Sequence, residues 1–519
     1  MKFFGHSLFK HTKKTDAENK HENKHQIHIE DKAVNKKTRH PDDFQPTNKK
    51  TAGQTGSYQA QDTNHNHLHQ MKRSISNASV KRRLKAAGLD RENFGEVIAA
   101  QIGRKLLEES LVPDVFPVYG SSRDGVYVAS KYLGDKKNPA ITLDKFAKNF
   151  GVTLSGAHVR VISKKEAIFK KGEISLDSEL KKDLCTAIVL SAVIGDHDIN
   201  PGNMMVFKHE GKQRIARIDF GHAFNDLLKC SQVNGGRVRD TKYPILDFFN
   251  RSEVGGILGA PSKLWRDYPD LILCSEMVSA LQAMSKDFDT KVQQGIETSK
   301  KYFLELIEDM GNNNDIKGLD HVRASLDAIC PEVITENTRA LQKSTSTSTK
   351  TLGGSAESIR TSTESLGASD NQLYLDPIFN KIAHFVKEQG KDLMKIAALM
   401  ELQIAIDDAL KNGNYFNKIW AIYNKNNNQL PKTCEKIHWI KSGIYNEPKL
   451  CTIEKFIIQR SKELIKENPD KKDEIRNNSA HICAMQPQTL SNSTSNIKER
   501  LNIQKIGGEC SRTEFASQR

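Results

Sequence analysis

The feature that most constrains this chain is a polar loop, residues 195–203, placed directly after a segment that is apolar on nearly all sides. The apolar segment, residues 180–194, predicts a helix buried in a core, because a helix that faces solvent carries a polar stripe. Two short β-type segments around a Gly-containing turn follow the loop, and the second runs into Asp219-Phe220-Gly221. The chain therefore places a loop rich in Asp, His and Asn directly after a buried helix, and an Asp at the end of an apolar strand.

Asp198 and Asn203 in that loop have the D-x-x-x-x-N spacing typical of kinase catalytic loops. Phosphoryl transfer needs an acid that orients or deprotonates the attacking hydroxyl, and an Asn and a second Asp that hold Mg²⁺ on the nucleotide. Asp219 follows in the order expected of that second Asp. The pattern predicts use of ATP with Mg²⁺, or with Mn²⁺, and makes Asn203 and Asp219 the candidate metal ligands.

The same segment resembles the phosphatidylinositol 3-/4-kinase family more than ordinary protein kinases. It contains Gly195-Asp196, then Asn203-Met204-Met205-Val206, and finally Ile218-Asp219-Phe220-Gly221-His222. The resemblance is closest to the divergent effector phosphatidylinositol kinases that intracellular bacteria secrete. It implies an α+β, bilobal, protein-kinase-like fold and transfer of phosphate from ATP to phosphatidylinositol, to the 3-hydroxyl in preference to the 4-hydroxyl.

The family's Asp-Arg-His is not present as such, so two alignments of the loop are open. In the first, Asp198 and Asn203 take the places of the family's Asp and Asn, and Asn200 falls where the family has its catalytic His. In the second, Asp196-His197 keeps the His, and Asn200 becomes the metal-binding Asn. We favour the first because Asn203 then leads directly into Met-Met-Val. In both alignments His197 or Asp198 is the candidate catalytic base.

The part of the chain that should contact the nucleotide is less clearly marked. Periodic apolar residues predict a helix over residues 93–109, and the resemblance makes Glu96 on this helix the partner of a phosphate-binding lysine. That lysine stays open between Lys72, Lys81 and Lys85, since none lies in a clear β-branched strand. No glycine-rich phosphate loop of a common form is visible. The expected nucleotide site consists of Glu96, Asn203, Asp219, Phe220 and Gly221.

Basic residues occur between Asp219 and Pro244, in the stretch that selects the lipid headgroup in the family. Arg237, Arg239 and Lys242 are the candidates for contact with the lipid phosphate, because guanidinium groups suit bidentate phosphate contacts and a lysine supplies a point charge. The expected partners are phosphatidylinositol and an anionic membrane surface, to which the protein binds peripherally. Each basic residue near such a surface contributes roughly 1 kcal/mol.

Composition indicates how the rest of the chain is organised. Of its 519 residues only 37% are hydrophobic, below the roughly 45–50% usual for globular domains, so part of the chain is expected to be disordered. The predicted organisation begins with a disordered polar arm over residues 1–80 and a catalytic domain over 81–335. Within that domain we expect an N-lobe over about 81–135 and a C-lobe over about 136–335. A flexible Ser/Thr/Gly linker over 343–371, a separate all-α module over 372–483 and a disordered tail over 484–519 are expected to follow.

The sequence also excludes several classes of protein. It has no run of about 18 apolar residues, which excludes a membrane-spanning helix, and its first residues lack the apolar core of a secretory signal. We therefore expect secretion without a conventional signal peptide, with the protein acting in the host cytoplasm and on host membrane surfaces. Much of the net charge of +14 lies in the polar ends, so no nucleic acid partner is expected.

Alternatives to a 3-kinase stay open from the residues alone. One is a phosphatidylinositol 4-kinase, since the motif does not choose between the two hydroxyls. Another is an enzyme on the same fold that acts on a protein hydroxyl, as a protein kinase, or that transfers a nucleotidyl group. Asp198 acting as a protein-kinase base would favour this alternative. The last is a pseudokinase-type binding protein that holds a protein partner through residues 372–483.

Overall fold

The structure is a computed structural model of the whole chain. It describes residues 41–50, 57–73, 91–119, 126–134, 138–148, 178–224, 271–330, 368–413, 416–426, 437–438, 450–451 and 453–485, with a few single residues between 227 and 268. Most of the predicted linker, the predicted tail beyond residue 485 and the first 40 residues of the predicted arm lie outside the described residues. The architecture is mixed, with β-sheets and many helices.

The first sheet has five antiparallel strands in the order β1-β2-β3-β5-β4. They are β1 (Phe44–Lys50), β2 (Tyr58–Asp62), β3 (Leu68–Arg73), β4 (Val115–Tyr119) and β5 (Val126–Lys131). Side chains alternate between the two faces of a strand. Met71 lies in a small core on one face, so Lys72 faces the other side, level with Val128 of β5. That second face packs against α1 (Arg91–Leu106), so β3 presents Lys72 towards the helix.

Strands β1 to β3 lie inside the segment that was predicted to be a disordered arm, residues 1–80. The structure corrects this boundary: the sheet begins at residue 44 instead of after residue 80. These strands are polar and bury only a few side chains, such as Phe44, Ala60 and Met71. A strand is held by backbone hydrogen bonds and needs an apolar residue only on its buried face, so low hydrophobicity did not imply disorder here.

Helix α1 confirms the helix predicted over residues 93–109, with both ends shifted by a few residues. Its Phe94 and Ile102 are fully buried, and it packs along α5 (Phe288–Asn312). The two helices approach so closely that a β-carbon on Gly295 would lie 2.5 Å from the α-carbon of Ile102. Helix α1 is thus held between the sheet and α5, which fixes the direction of Glu96.

A second sheet supports the polar loop. Its order is β6-β7-β8, with β6 (Ile141–Thr142), β7 (Met204–His209) and β8 (Lys212–Arg217), and α2 (Leu143–Lys148) follows β6. Glu210 and Gly211 have φ of 50° and 83°, the positive values that a tight two-residue hairpin requires. Helix α3 (Ser178–Val193) packs on β8 and is buried on nearly all sides, as predicted. The amide of Ile218 donates to the carbonyl of Asn203 at 2.9 Å, so the loop and the segment of Asp219 emerge side by side.

The helices after residue 270 extend this core. They are α4 (Ser275–Met284), α5, α6 (Ile316–Asp327), α7 (Ala368–Gly390) and α8 (Leu393–Asn412). Leu375, Phe379 and Ile396 belong to the same buried cluster as α3 and α5, and the rings of Phe303 and Phe379 lie 6.0 Å apart. The structure therefore corrects the prediction of a separate module over residues 372–483: α7 and the start of α8 pack into the main core.

A second cluster begins within α8. From Ala398 onward α8 packs with α9 (Phe416–Lys425), α10 (Ile453–Glu467) and α11 (Lys472–Ala484). The two-residue strands β9 (Ile437–His438) and β10 (Leu450–Cys451) pair with each other in antiparallel orientation. An amphipathic pattern shows that a helix has a buried face but not which neighbour covers it, which is why the sequence misplaced the boundary.

Among the described helices, none is long and apolar enough to cross a membrane.

Candidate active site

Lys72 on β3 is the centre of the site. Its Nζ donates to Glu96 Oε2 on α1 at 2.6 Å and to Asp219 Oδ1 after β8 at 2.8 Å. The three residues are distant in sequence and meet because α1 packs between the first sheet and the core. Of the three candidate lysines, the structure places Lys72 beside the predicted Glu96, while Lys81 and Lys85 lie outside the described residues.

Lys72 and Asp219 stabilise each other's charged forms. Burial by itself would lower the pKa of Lys72, but the carboxylates of Glu96 and Asp219 outweigh it and raise that pKa above its ordinary value. Burial would likewise raise the pKa of Asp219, and the adjacent ammonium holds it below the usual range instead. Lys72 is therefore a cation and Asp219 an anion across the neutral range.

The backbone at Asp219 is unusual. Its φ is 58°, in the left-handed region that few residues other than glycine adopt, Asp being among them. Phe220 next to it is fully buried, with the Arg217 guanidinium 5.2 Å from its ring centroid, whereas the Asp219 side chain is 51% exposed. The anchored ring holds the backbone in this conformation, and such strain is typical of functional sites. The carboxylate of Asp219 consequently lies between Lys72 and solvent.

In the polar loop, Asp198 and Asn203 are in direct contact. Asn203 Nδ2 donates to the backbone oxygen of Asp198 at 3.0 Å and to its Oδ2 at 3.1 Å. Asn200 Oδ1 instead accepts from the amide of Gly202 at 3.0 Å and caps the short turn Pro201–Asn203. This geometry fits the first alignment of the loop, in which Asn203 and not Asn200 is the metal-binding residue.

Asp196 has a different position. Its side chain is fully buried, its Oδ1 accepts from the amide of Asp198 at 2.8 Å, and its Oδ2 accepts from Arg217 at 2.8 Å. Burial raises the pKa of Asp196, and the guanidinium opposes that shift. With both oxygens engaged and no exposure, Asp196 is suited to holding the loop and not to meeting a substrate.

One histidine, His197, lies in the polar loop, and a second, His222, lies close to it. The His197 ring packs against Phe248, with ring centroids 5.2 Å apart. His222, which follows Asp219-Phe220-Gly221, has its Nε2 3.9 Å from Asp198 Oδ2 and is half-exposed. Asp198 thus lies between Asn203 and His222, whereas the His197 ring packs against Phe248.

The donor set suits Mg²⁺. Asn203 offers its amide oxygen, since Nδ2 is engaged with Asp198, and Asp219 offers a carboxylate. Within the part of the chain that the structure describes, no three His, Cys, Asp or Glu side chains form a metal-binding group. Mg²⁺ on a nucleotide needs only one or two protein ligands, because phosphates and waters complete its octahedron. The residues present therefore fit a magnesium nucleotide.

Sequence reasoning missed one feature of this region. Arg217 was not singled out, although it lies two residues before Asp219 and is fully buried. The predicted lipid contacts Arg237, Arg239 and Lys242 lie outside the described residues.

Comparisons with known proteins give a coarse description. A family model described as the LepB N-terminal domain matches residues 165–234, a stretch that contains Asp198, Asn203 and Asp219. No curated protein matches the chain. Among solved structures, the chain is similar to the Helicobacter pylori proinflammatory kinase CtkA, with 13% identity and a TM-score of 0.33 over 57% of this chain and 98% of that one. The chain is thus weakly similar in structure to a bacterial kinase, and its function is inferred from the geometry around Lys72.

Proposed function

We propose that this chain is an ATP- and Mg²⁺-dependent phosphotransferase that phosphorylates phosphatidylinositol, at the 3-hydroxyl. The phosphotransferase part rests on one observation, the bonds of Lys72 Nζ to Glu96 at 2.6 Å and to Asp219 at 2.8 Å. A strand lysine paired with a helix glutamate and placed beside the Asp of Asp-Phe-Gly is the arrangement on which kinases depend. Nothing in the local sequence around Lys72 requires it to meet these two carboxylates.

Lys72 is suited to exchange one partner for a nucleotide. Glu96 is buried and keeps the ammonium in place, whereas Asp219 is half-exposed and can yield its position to phosphate oxygens. Asn203 and Asp219 would then hold Mg²⁺. Bound there, Mg²⁺ neutralises negative charge on the phosphates. Lys72 would add a second positive charge at the phosphates.

Asp198 is the residue placed to receive the proton of the acceptor. In the transfer, the acceptor O–H loses its proton to the Asp198 carboxylate, and its oxygen forms a bond to the γ-phosphorus of ATP. The bond from that phosphorus to the β–γ bridging oxygen breaks, and ADP leaves with the electron pair. Asn203 Nδ2 keeps the Asp198 carboxylate oriented through the transfer, and His197 is the second candidate for the base.

A lipid acceptor is supported by the sequence. The run Ile218–His222 resembles lipid kinases, and Arg237, Arg239 and Lys242 follow it in a position suited to a lipid phosphate. These basic residues, together with the net charge of +6 on residues 1–80, suit peripheral binding to an anionic membrane. The choice of the 3-hydroxyl, and action as a secreted effector on host membranes, rest on the same resemblance.

The test is phosphate transfer from labelled ATP, offered phosphatidylinositol vesicles and host-cell lysate in parallel. We expect label in the lipid, and chromatography of the product should give the 3-phosphate. K72M should lower the rate at least about 100-fold, since it removes a charge placed at the phosphates. K81M and K85M are matched controls and should retain activity within about threefold.

The other outcomes are informative. Label only in protein would overturn the lipid acceptor and support a protein kinase, and the 4-phosphate would overturn the 3-hydroxyl alone. ATP turnover that is unchanged in both D198A and D219A would end the catalytic proposal and leave a binding protein.

A further inference from the structure

Arg217, the last residue of β8, has no contact with solvent and is the largest fully buried side chain among the described residues. Its guanidinium donates to Ser191 Oγ at 3.1 Å, Asp196 Oδ2 at 2.8 Å, the Asp198 carbonyl at 3.1 Å, the Asn203 carbonyl at 3.2 Å and the Ile218 carbonyl. A guanidinium has five N–H groups in a planar fork, so every donor of Arg217 has an acceptor.

These acceptors come from the segments that carry the chemistry. Ser191 lies on α3, the helix that leads into the loop. Asp198 and Asn203 are the residues proposed to receive the proton and to hold Mg²⁺, and Arg217 binds the backbone oxygen of each. Ile218 directly precedes Asp219. One side chain therefore joins the loop and the metal-binding segment.

Stability alone does not account for this arrangement. Burying a guanidinium and a carboxylate costs several kcal/mol in desolvation, and apolar residues of similar volume often stabilise a core equally well. What apolar residues cannot do is fix two backbone carbonyls of a loop, because that requires hydrogen-bond donors in a set geometry. The planar fork of Arg217 supplies such a geometry.

We propose that Arg217 is a positioning residue for phosphoryl transfer: its guanidinium, with all five N–H groups engaged, holds Asp198, Asn203 and Asp219 in one reactive arrangement. This inference rests on the proposed function. It makes the rate depend on the planar geometry at position 217 and not on the positive charge alone. A lysine has three donors on a tetrahedral ammonium and cannot satisfy five separated acceptors.

Arg214 on the same strand is a matched control. It also pairs with carboxylates, with Asp183 at 2.8 Å and Glu108 at 2.9 Å. These partners lie on α3 and before β4, outside the loop and the segment of Asp219. R214K therefore makes the same chemical change on the same strand without touching the catalytic segments.

The experiment compares R217K with R214K in the full chain, measuring kcat, the KM for ATP and thermal unfolding. We expect R217K to lower kcat about 100-fold, since small displacements of catalytic groups cost about that much. The KM for ATP should rise by a smaller factor than kcat falls, because Lys72 and Glu96 are untouched while the Mg²⁺-binding residues shift with the loop. R214K should lower the unfolding temperature while kcat stays within about threefold. Equal kcat in R217K and R214K would overturn the inference, whereas an inactive wild-type chain would overturn the proposed function itself.

D196N keeps the test decisive if R217K does not fold. An Asn at this position has one acceptor oxygen for two donors, the Arg217 guanidinium and the Asp198 amide, so one of these bonds is lost. We expect kcat of the folded D196N protein to fall at least about tenfold, the smaller end of the range for residues that support ligands. A folded D196N protein with unchanged kcat would contradict a positioning role for the Arg217 network.

Discussion

Lys72 and Arg217 are two cations in one site, and they differ in how their partners meet solvent. The Asp219 partner of Lys72 is 51% exposed, while Arg217 and its partner Asp196 are both 0% exposed. The ammonium of Lys72 is a point charge that can transfer to other oxygens, whereas all five donors of Arg217 are engaged. The comparison separates a cation that can bind a ligand from one that can only position other residues.

The exposure of the partner carboxylate distinguishes the roles of the two cations better than their charge does. Both cations lie near Asp219, and each forms an ion pair with a carboxylate. Under the proposed function, a phosphate would enter at the exposed partner, and the enclosed partner fixes the loop. Variants at each centre should therefore have different effects on activity and on stability.

The largest effect on activity is expected in D219N, which changes the half-exposed partner of Lys72. It keeps the size of the side chain and removes the carboxylate charge proposed to hold Mg²⁺, so phosphate transfer should fall by about 100- to 1000-fold. The unfolding temperature should change little, since a half-exposed ion pair contributes little stability. D289N, at an exposed position on α5, is the control and should keep full activity. Activity of D219N within tenfold of wild type would mean that Lys72 does not mark the site.

A smaller loss is expected in E96Q. The amide can still accept from Lys72 Nζ, but the charge that fixes the ammonium is gone, so activity should fall about 10- to 100-fold. The control is E109Q, which removes the charge from an exposed glutamate paired with Arg104. Steady-state rates at several ATP concentrations would measure the effect. Equal rates in E96Q and E109Q would contradict the role given to Glu96.

In the buried hydrogen-bond network around Arg217, S191A should act mainly on stability. Ser191 Oγ accepts from Arg217 Nε, and its loss leaves a buried charged donor unpaired, at a cost of about 1–3 kcal/mol in the free energy of unfolding. Ser299 on α5 is also fully buried and, like Ser191, donates to the carbonyl four residues earlier. S299A should therefore cost less than S191A in chemical denaturation. The opposite order would weaken the account of Arg217.

The smallest effect concerns pH. Because Lys72 holds the pKa of Asp219 below its usual range, their pairing stabilises the fold above the ordinary Asp pKa of about 3.9 and is lost as pH falls through the lower folded-state pKa. The difference in free energy of unfolding between wild type and D219N should be below about 1 kcal/mol at pH 7, because Asp219 is half-exposed. It should shrink further as pH is lowered towards 3. Denaturant titrations at several pH values would show a growing difference if the sign were wrong.

Short-range patterns predicted much of the site. The spacing of Asp198 and Asn203 indicated that they act together, and the structure brings them into contact. Helical periodicity placed Glu96 on α1, and the positions of β7 and β8 around their turn were also predicted. These features depend on residues close together in sequence, where spacing alone determines which side chains share a face or a turn.

Long-range partners were not predictable in the same way. Lys72 could not be chosen over Lys81 and Lys85, because its strand buries few apolar residues and resembles a polar arm. Arg217 gave no sequence signal, since the acceptors that enclose it are mostly backbone carbonyls of other segments. Helix α7 was assigned to a separate module, because its apolar face does not reveal that it packs on α5.

By itself, the sequence determined which groups are available for chemistry and their order along the chain: an acid, an Asn and an Asp-Phe-Gly after a buried helix. Only the tertiary structure decided which lysine meets Glu96 and Asp219, which of Asp196 and Asp198 is open to solvent, and where the main buried core ends. The reason is physical. Local spacing is encoded by backbone geometry, whereas burial and ion pairing depend on segments that meet only when the whole core packs.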